Sequence, residues 1–217
     1  MKRQSCSRCQ RPVAQCFCHT LQQRDNRWPV RILQHPGESG HAIGTARIAA
    51  LSLSHCQLDI GENFSRASLF TDNSTGAGQN AVLIYPGEDA TPLASLQTKE
   101  PQTLIFLDAS WRKSRRMLME SPALQALPKV ALQPGHASRY RIRKSKQRDS
   151  LSTLEAIVHS LAFLEQDEEK YLPLLHSMDW MIDQQIALMG EAVFTKNYGH
   201  TDESADCMAD RVNNESE

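Results

Sequence analysis

Two short, uninterrupted apolar runs limit what this chain can fold into more than any other feature of its sequence. They are Ala81-Val82-Leu83-Ile84-Tyr85 and Thr103-Leu104-Ile105-Phe106-Leu107, and turn-forming or polar residues bound each of them. Continuous apolar residues, rather than alternating ones, are typical of strands buried on both faces, as in a parallel sheet. Residues 30–33 and 129–132 are predicted as further strands. We therefore predict an α/β fold whose ligands bind at the strand ends.

Helical patterns fill the intervals between and after these strands. Residues 45–53 and 113–120 are predicted as helices, the second directly after an apolar run. Residues 152–155 form a capping box, after which apolar residues recur with helical spacing. A further helix is predicted over residues 174–188, in which the methionines fill the core. The sequence thus predicts a parallel sheet flanked by helices.

The chain of 217 residues is long enough for one well-buried domain and too short for two large ones. No apolar run approaches the roughly 18 residues of a membrane span, so no membrane partner is expected. The N-terminus lacks the apolar stretch of a secretory signal, which predicts a cytoplasmic protein without disulfides. We expect a small segment at residues 1–25, the main domain at residues 26–198, and a disordered acidic tail at residues 199–217.

Four cysteines lie close together near the N-terminus, in the pattern Cys6-x-x-Cys9 followed by Cys16-x-Cys18. The surrounding stretch is too poor in apolar residues to fold without a staple. Four thiolates suit a tetrahedral zinc ion, and a closed shell of four cysteines leaves no position open for chemistry, so the predicted site is structural. The alternatives are an iron–sulfur cluster, a redox pair at Cys6 and Cys9, or free cysteines.

The most informative stretch is Leu107-Asp108-Ala109-Ser110-Trp111, at the end of the second apolar run. An aspartate that leaves a buried strand can act as a base, or bind an amine or hydroxyl of a ligand. Ser110 can cap the following helix, and Trp111 can pack or stack on a nucleic-acid base. On composition alone a structural role is favoured, because Asp and Ser at such turns are frequent helix caps.

The net charge of −1 conceals basic clusters, because acidic residues concentrate in the tail. One cluster follows Trp111, and the other surrounds Tyr140, with alternating arginines that would share one face of an extended segment. Such a segment suits phosphates and a stacked base, and the alternative is a solvated loop. The candidate RNA-binding residues are Arg112, Lys113, Arg115, Arg116, Arg139, Arg141, Arg143 and Lys144.

Asp108-Ala109-Ser110-Trp111 matches the signature D-x-[ST]-W, and this segment resembles the motif that names the DTW-domain family. Ala109 and Ser110 vary within the motif but leave the acid, hydroxyl and indole in place. The cysteine cluster, residues 85–90 and residues 151–157 look like further blocks of that family in the same order. Gln34-His35-Pro36 and Gly44-Thr45-Ala46-Arg47 look like a variant of another block. The resemblance covers nearly everything before the tail.

The resemblance implies a SPOUT-like parallel sheet flanked by helices, with a C-terminal trefoil knot and a zinc-binding N-terminal segment. It also implies transfer of the 3-amino-3-carboxypropyl group of S-adenosylmethionine to N3 of a tRNA uridine, expected to be uridine 47 of the variable loop, with release of methylthioadenosine. A monomer and a homodimer both remain open. The rival functions are a SPOUT-type RNA methyltransferase using the same donor and a non-catalytic, zinc-containing RNA-binding protein.

This reaction assigns roles to residues at the strand ends. Displacing a neutral thioether needs no acid, but uridine N3 carries a proton, so Asp108 is the candidate base. Its rival role is to hold the donor's ammonium group, and Ser110 and Trp111 complete the predicted catalytic group. The predicted donor-binding residues are Tyr85, Pro86, Gly87, Glu88, Leu107, Leu151, Ser152 and Thr153. Glu88 is equally well explained as a solvent-facing loop acid.

Overall fold

Parallel strands form the centre of the molecule. The computed structural model describes residues 4–39, 44–69, 80–132, 138–142 and 151–198. Within these ranges one sheet has the strand order β2-β1-β5-β3-β6-β4, and neighbouring strands run parallel throughout. The strands are β1 (Val30–Gln34), β2 (Cys56–Ile60), β3 (Ala81–Ile84), β4 (Thr91–Pro92), β5 (Thr103–Asp108) and β6 (Lys129–Ala131).

The central strands bury both of their faces. Successive side chains on a strand point to opposite sides of the sheet. Ile32, Leu104 and Phe106 therefore belong to one apolar cluster, whereas Leu33 and Ile105 belong to a second cluster on the other side. The prediction of doubly buried parallel strands at both apolar runs is confirmed.

Helices cover the two faces of the sheet unequally. They are α1 (Pro36–Ser39), α2 (Ala46–Ser52), α3 (Arg66–Leu69), α4 (Trp111–Glu120), α5 (Pro122–Gln125), α6 (Thr153–Glu165), α7 (Glu168–Met189) and α8 (Glu191–Tyr198). The larger cluster contains side chains of α2, α6 and α7. The smaller cluster contains side chains of α3, α4 and α5. The predicted parallel sheet flanked by helices is thus confirmed.

The capping box at the start of α6 is present as predicted. The Ser152 hydroxyl accepts a hydrogen bond from the Glu155 backbone N–H at 3.3 Å, and the Glu155 carboxylate accepts one from the Ser152 N–H at 2.7 Å. In α7, Met178 and Met181 are fully buried, which confirms their role as core filler. This helix begins at Glu168, earlier than predicted, and carries Pro173 inside it.

The sequence analysis did not predict β2, β4, α8 or the one-turn helices α1, α3 and α5. Strand β2 lies at the edge of the sheet, next to β1 alone, and its residues are half-buried or exposed. An edge strand needs no continuous apolar run, so the pattern that identifies central strands is absent from it.

No helix in the described ranges is long and apolar enough to span a membrane. Residues 199–217, predicted to be a disordered tail, lie outside those ranges.

Candidate active site and metal centre

Asp108 ends strand β5 at the carboxyl edge of the sheet. It is paired with Gln34, the last residue of β1. The His35 backbone N–H donates to the Asp108 carbonyl at 3.0 Å, and this bond extends the ladder by one residue. On the other side of β5, Tyr85 directly follows β3. The carboxyl ends of parallel strands meet at one edge of a sheet, so the ends of β1, β3 and β5 lie side by side around Asp108.

The Asp108 carboxylate is held at both of its oxygens. The Thr153 hydroxyl donates to Oδ1 at 2.6 Å, and the Gln34 side-chain amide donates to Oδ2 at 2.7 Å. The structure thus brings the predicted catalytic acid and the predicted donor-binding Thr153 into direct contact. Gln34 was not predicted as a site residue. The signal that could have identified it is its place as a polar residue directly after the strand predicted over residues 30–33.

Ser110 occupies the N-cap position of α4, yet its hydroxyl makes no capping hydrogen bond. Its backbone carbonyl accepts from the Ser114 N–H at 2.8 Å instead. Trp111 is 47% exposed rather than buried in the core. Its ring meets the Tyr85 ring edge to face, with centroids 5.9 Å apart and an interplanar angle of 68°. An aromatic pair and an exposed hydroxyl therefore lie beside Asp108.

The predicted donor-binding residues flank Asp108 from β3 and from α6. Pro86, Gly87 and Glu88 form an exposed loop after β3. Asp89 fixes that loop to the start of β6, because the Lys129 ammonium lies 2.6 Å from its carboxylate. This hydrogen bond lowers the pKa of Asp89.

The other predicted donor-binding residues differ in burial. Leu107 and Leu151 are half-buried. Ser152 is buried, and its hydroxyl serves the capping box. Its backbone is also engaged, because the N–H donates to the Glu155 carboxylate and the carbonyl accepts from the Ala156 N–H.

His35 and Lys113 are tied into the local structure next to this edge. His35 Nδ1 accepts a hydrogen bond from the Gly37 N–H at 2.9 Å, and Nε2 lies 3.3 Å from the Glu62 carboxylate. The Lys113 ammonium donates to Glu38 of α1 at 2.8 Å. These contacts support a structural role for His35 and give Lys113 a partner within the protein.

The candidate RNA-binding residues fall into two groups. Lys113 and Arg116 pair with Glu38 and Glu120, at 2.8 and 2.7 Å. Arg112 and Arg115 are exposed, and among the described residues no salt bridge involves either of them. Helix α4 therefore presents two uncommitted guanidinium groups next to Trp111.

The second basic cluster lies against α7. Arg139 pairs with Asp179, and Arg141 pairs with Asp183, one helical turn further along. Both arginines therefore contact the same face of α7, and each already has a carboxylate partner. Over the described residues 139–142, the extended segment on which the alternating pattern depended is not present, because the Arg141 N–H donates to the Arg139 carbonyl at 3.0 Å in a turn. Arg143 and Lys144 lie outside the described residues.

The four predicted metal ligands converge on one point. Cys6 and Cys18 Sγ atoms are 3.8 Å apart, Cys9 and Cys16 Sγ atoms are 3.7 Å apart, and all four sulfurs lie within 4.8 Å of one another. A tetrahedral zinc ion with bonds of about 2.3 Å separates its sulfur ligands by about 3.8 Å. A disulfide needs about 2.05 Å. The spacing fits a metal ion and excludes a disulfide.

The thiols differ in acidity before any metal binds. Hydrogen bonds from the backbone N–H groups of Cys9 and Arg8 lower the pKa of the Cys6 thiol to about 6. Burial raises the pKa of the Cys18 thiol to about 12. A bound metal would deprotonate both thiols, because thiolates are its ligands.

The buried side chain of Arg11 indicates whether the surroundings of the four cysteines suit a metal ion. Its side chain is 7% exposed, and its Nε and Nη1 atoms have no hydrogen-bond partner among the described residues. Burial lowers the pKa of this guanidinium, and negative charge on Cys9 raises it. Four thiolates around a dication carry a net negative charge, which a buried cation offsets. The residues present therefore fit a closed, four-thiolate metal site.

The cysteine segment is docked on α7. Phe17 is 1% exposed and belongs to the larger core cluster. The Ser177 hydroxyl donates to the Thr20 carbonyl at 3.0 Å, and the His19 and Trp180 rings meet edge to face with centroids 4.6 Å apart. The metal site thus has a fixed position on the helical layer, and its closed ligand set suits a structural role.

Fold and site together define an α/β protein with a clamped acid at the carboxyl edge of a parallel sheet and a four-cysteine segment that could bind a metal. The model of the DTW domain matches residues 3–186. The chain belongs to the DTW-domain family.

Two relatives have assigned names. The chain is 30% identical over 191 residues to tRNA-uridine aminocarboxypropyltransferase 2 of Drosophila melanogaster, covering 85% of this chain and 76% of the relative. It is 23% identical over 199 residues to tRNA-uridine aminocarboxypropyltransferase A of Arabidopsis thaliana, covering 78% of this chain and 75% of that relative. No solved structure matches the chain.

Proposed function

We propose that this protein is a cytoplasmic enzyme that transfers the 3-amino-3-carboxypropyl group of S-adenosylmethionine to N3 of a tRNA uridine, with uridine 47 of the variable loop as the expected target. The observation that carries the proposal is the two-point hold on Asp108 by Thr153 and Gln34. A helix cap would bond to backbone N–H groups, whereas this acid is oriented by side chains, as functional groups are. The names of both relatives support the same reaction.

The reaction requires orientation and a proton acceptor. Uridine N3 forms a bond to the γ-carbon of the donor's amino-acid arm, the bond from that carbon to sulfur breaks, and its electron pair leaves with neutral methylthioadenosine. The N3 proton is transferred to a base, for which Asp108 is the proposed group. Fixing both reactants at the strand ends supplies much of the rate, since the attack must be in line.

The proposed donor site lies between the loop after β3 and the start of α6. Its exposed backbone and half-buried apolar side chains suit an adenosine and a short charged arm. Ser110 and Trp111 are exposed next to Asp108, and we propose that the uridine approaches the acid from this side. The residues proposed to line the donor are Tyr85, Pro86, Gly87, Glu88, Leu107, Leu151, Ser152 and Thr153.

The proposed tRNA surface begins at α4. Within the part of the chain that the structure describes, Arg112 and Arg115 have no carboxylate that would compete with phosphates. Trp111 offers an exposed ring for stacking on a splayed base. Arg139 and Arg141 would have to exchange Asp179 and Asp183 for phosphates. We therefore rank the α4 pair as the stronger phosphate contacts.

We propose zinc as the metal at Cys6, Cys9, Cys16 and Cys18, with a structural role, because tetrahedral thiolate coordination is typical of that ion. We also propose a SPOUT-like core with a C-terminal trefoil knot, and the division into residues 1–25, 26–198 and 199–217. The parallel sheet and the position of α6 beside β5 support this topology. An experimental structure whose chain runs from β6 to α6 without threading a loop would refute the knot.

The test of the proposed function uses Asp108→Asn, which keeps shape and removes the negative charge. Donor binding is measured by calorimetry, and methylthioadenosine release is measured with tRNA present. If Asp108 is the base, the variant binds the donor but releases no product. Lost donor binding assigns Asp108 to the ammonium group instead. A variant with wild-type turnover contradicts any role of this acid in the reaction.

A further inference from the structure

Gln34 is an unusual residue to end a fully buried strand. All five residues of β1 are buried, and the Gln34 side chain is 4% exposed. An amide in such a place costs free energy unless its polar atoms are paired, and an apolar residue would fill the position without that cost. Its Nε2 group donates to Asp108 Oδ2 at 2.7 Å. The amide therefore has a specific partner, which is the acid of the candidate site.

The backbone around Gln34 fixes where this amide points. Gln34 is paired with Asp108 on one side and with Ile60 on the other. The Gly61 N–H donates to the Gln34 carbonyl at 3.0 Å. Since both neighbouring strands hold its backbone, the side chain reaches Asp108 from a rigid element rather than from a loop.

Thr153 approaches the same carboxylate from a second rigid element. It is the first residue of α6, next to the capping box, and its hydroxyl bonds Oδ1 at 2.6 Å. One hydrogen bond would leave the carboxylate free to rotate about its Cβ–Cγ bond. Two donors on separate elements, each bound to a different oxygen, fix that rotation, and each carboxylate oxygen keeps a further lone pair.

We propose that Gln34 is a positioning residue, which with Thr153 fixes the plane of the Asp108 carboxylate for the transfer. This inference rests on the proposed function. Gln34 itself does not contact the reacting atoms. Its amide cannot titrate, so it keeps the same hydrogen bond to Asp108 over the whole working pH range.

Two substitutions in the full-length, zinc-loaded protein separate positioning from simple packing. Gln34→Met keeps the length of the side chain and removes the donor. Gln34→Glu places a second carboxyl group against Asp108, and two carboxyl groups this close share a proton. The matched control is Gln57→Glu on β2, because the Gln57 amide also donates to an aspartate, Asp59, at 3.2 Å but away from the site.

The measurements are kcat and KM for donor and tRNA between about pH 6 and pH 9, with thermal unfolding of each variant. We expect Gln34→Met to lower kcat/KM for the donor by about 10- to 100-fold, the equivalent of one hydrogen bond to a charged group. Its KM for tRNA should stay within about twofold of wild type, since the phosphate contacts are unchanged. Gln34→Glu should lower kcat/KM for the donor at least as much, because its carboxylate repels that of Asp108 and donates no hydrogen bond to it. Gln57→Glu should leave kcat/KM for the donor within about twofold of wild type, because the substitution lies away from the site.

Folded Gln34→Met with wild-type kcat/KM for the donor, or a folded Gln34→Glu protein whose kcat/KM equals that of Gln57→Glu, would overturn the inference while the proposed function stands. Gln34→Met introduces no buried charge and should fold. Its kcat/KM therefore decides the question even if Gln34→Glu does not fold. A wild-type protein that forms no aminocarboxypropyl product would instead refute the proposed function itself.

Discussion

Removing the two uncommitted arginines of α4 should weaken tRNA binding in a manner that salt reveals. Arg112 and Arg115 have no salt bridge among the described residues, so each is available to neutralise one phosphate. A contact to single-stranded nucleic acid contributes about 0.7 to the slope of log affinity against log salt concentration. The variant Arg112→Gln/Arg115→Gln should therefore lower that slope by about 1.4.

The size of this effect is measurable. For a fourfold rise in salt, a slope difference of about 1.4 means that the wild-type affinity falls about sevenfold more than that of the variant. Fluorescence anisotropy of labelled tRNA at several salt concentrations gives both slopes. The control is Arg66→Gln/Lys99→Gln, which removes the same charge from exposed residues around a cavity near the start of β3. Equal slopes for the variant and this control would refute the assignment of α4 as the phosphate-binding surface.

Three further predictions concern separate parts of the structure. Glu155→Ala should lower the free energy of unfolding by about 3 to 5 kcal/mol and Tm by roughly 6 to 20 °C. The reason is that the buried Glu155 carboxylate accepts from Ser138 Oγ and from the backbone N–H groups of Arg139 and Ser152. Glu191→Ala, at an exposed position, should change Tm little, and equal shifts in the two variants would contradict the prediction. Elemental analysis should find one zinc per chain, and chelation should lower Tm; an iron signal or an unchanged Tm would be evidence against structural zinc. Trp111→Ala should weaken tRNA binding about 5- to 150-fold by loss of one stacked base, with partial recovery in Trp111→Phe, and wild-type affinity in the Ala variant would exclude stacking.

The sequence predicted those parts of the fold whose signals are local. The apolar runs of β3 and β5, the capping box of α6 and the spacing of the cysteines each depend on residues close together in the chain. The two strands, the helix start and the cluster of sulfurs lie where the sequence predicted them. Burial on both faces of a sheet, helix capping and a metal-binding cluster each require particular residue types at short separations. The edge strand β2 carries no such pattern, since each of its residues is half-buried or exposed.

The candidate site was predicted only in part, because its contacts join distant segments. Asp108 could be found from its position after a strand. The contacts of Gln34 and Thr153 with it depend on the order of β1 and β5 in the sheet and on the packing of α6. Strand order does not follow from residue patterns in one sequence.

The basic clusters show the same limit. Arg139 and Arg141 are recognisable as cations, yet their pairing with α7 depends on how residues 138–142 pack against that helix. On α4, the pair of Arg116 with Glu120 has i,i+4 spacing that the sequence could show, whereas the pairing of Lys113 with Glu38 of α1 depends on tertiary packing. Charge could be counted from the sequence, but its availability to a phosphate could not.

The most direct test of the central claim is the mass of the nucleosides formed when the purified protein is incubated with S-adenosylmethionine and unmodified tRNA. The account predicts a uridine heavier by one 3-amino-3-carboxypropyl group, together with an equal amount of methylthioadenosine. A methylated nucleoside would place the protein among the methyltransferases, and unmodified tRNA with intact donor would contradict the proposed transfer.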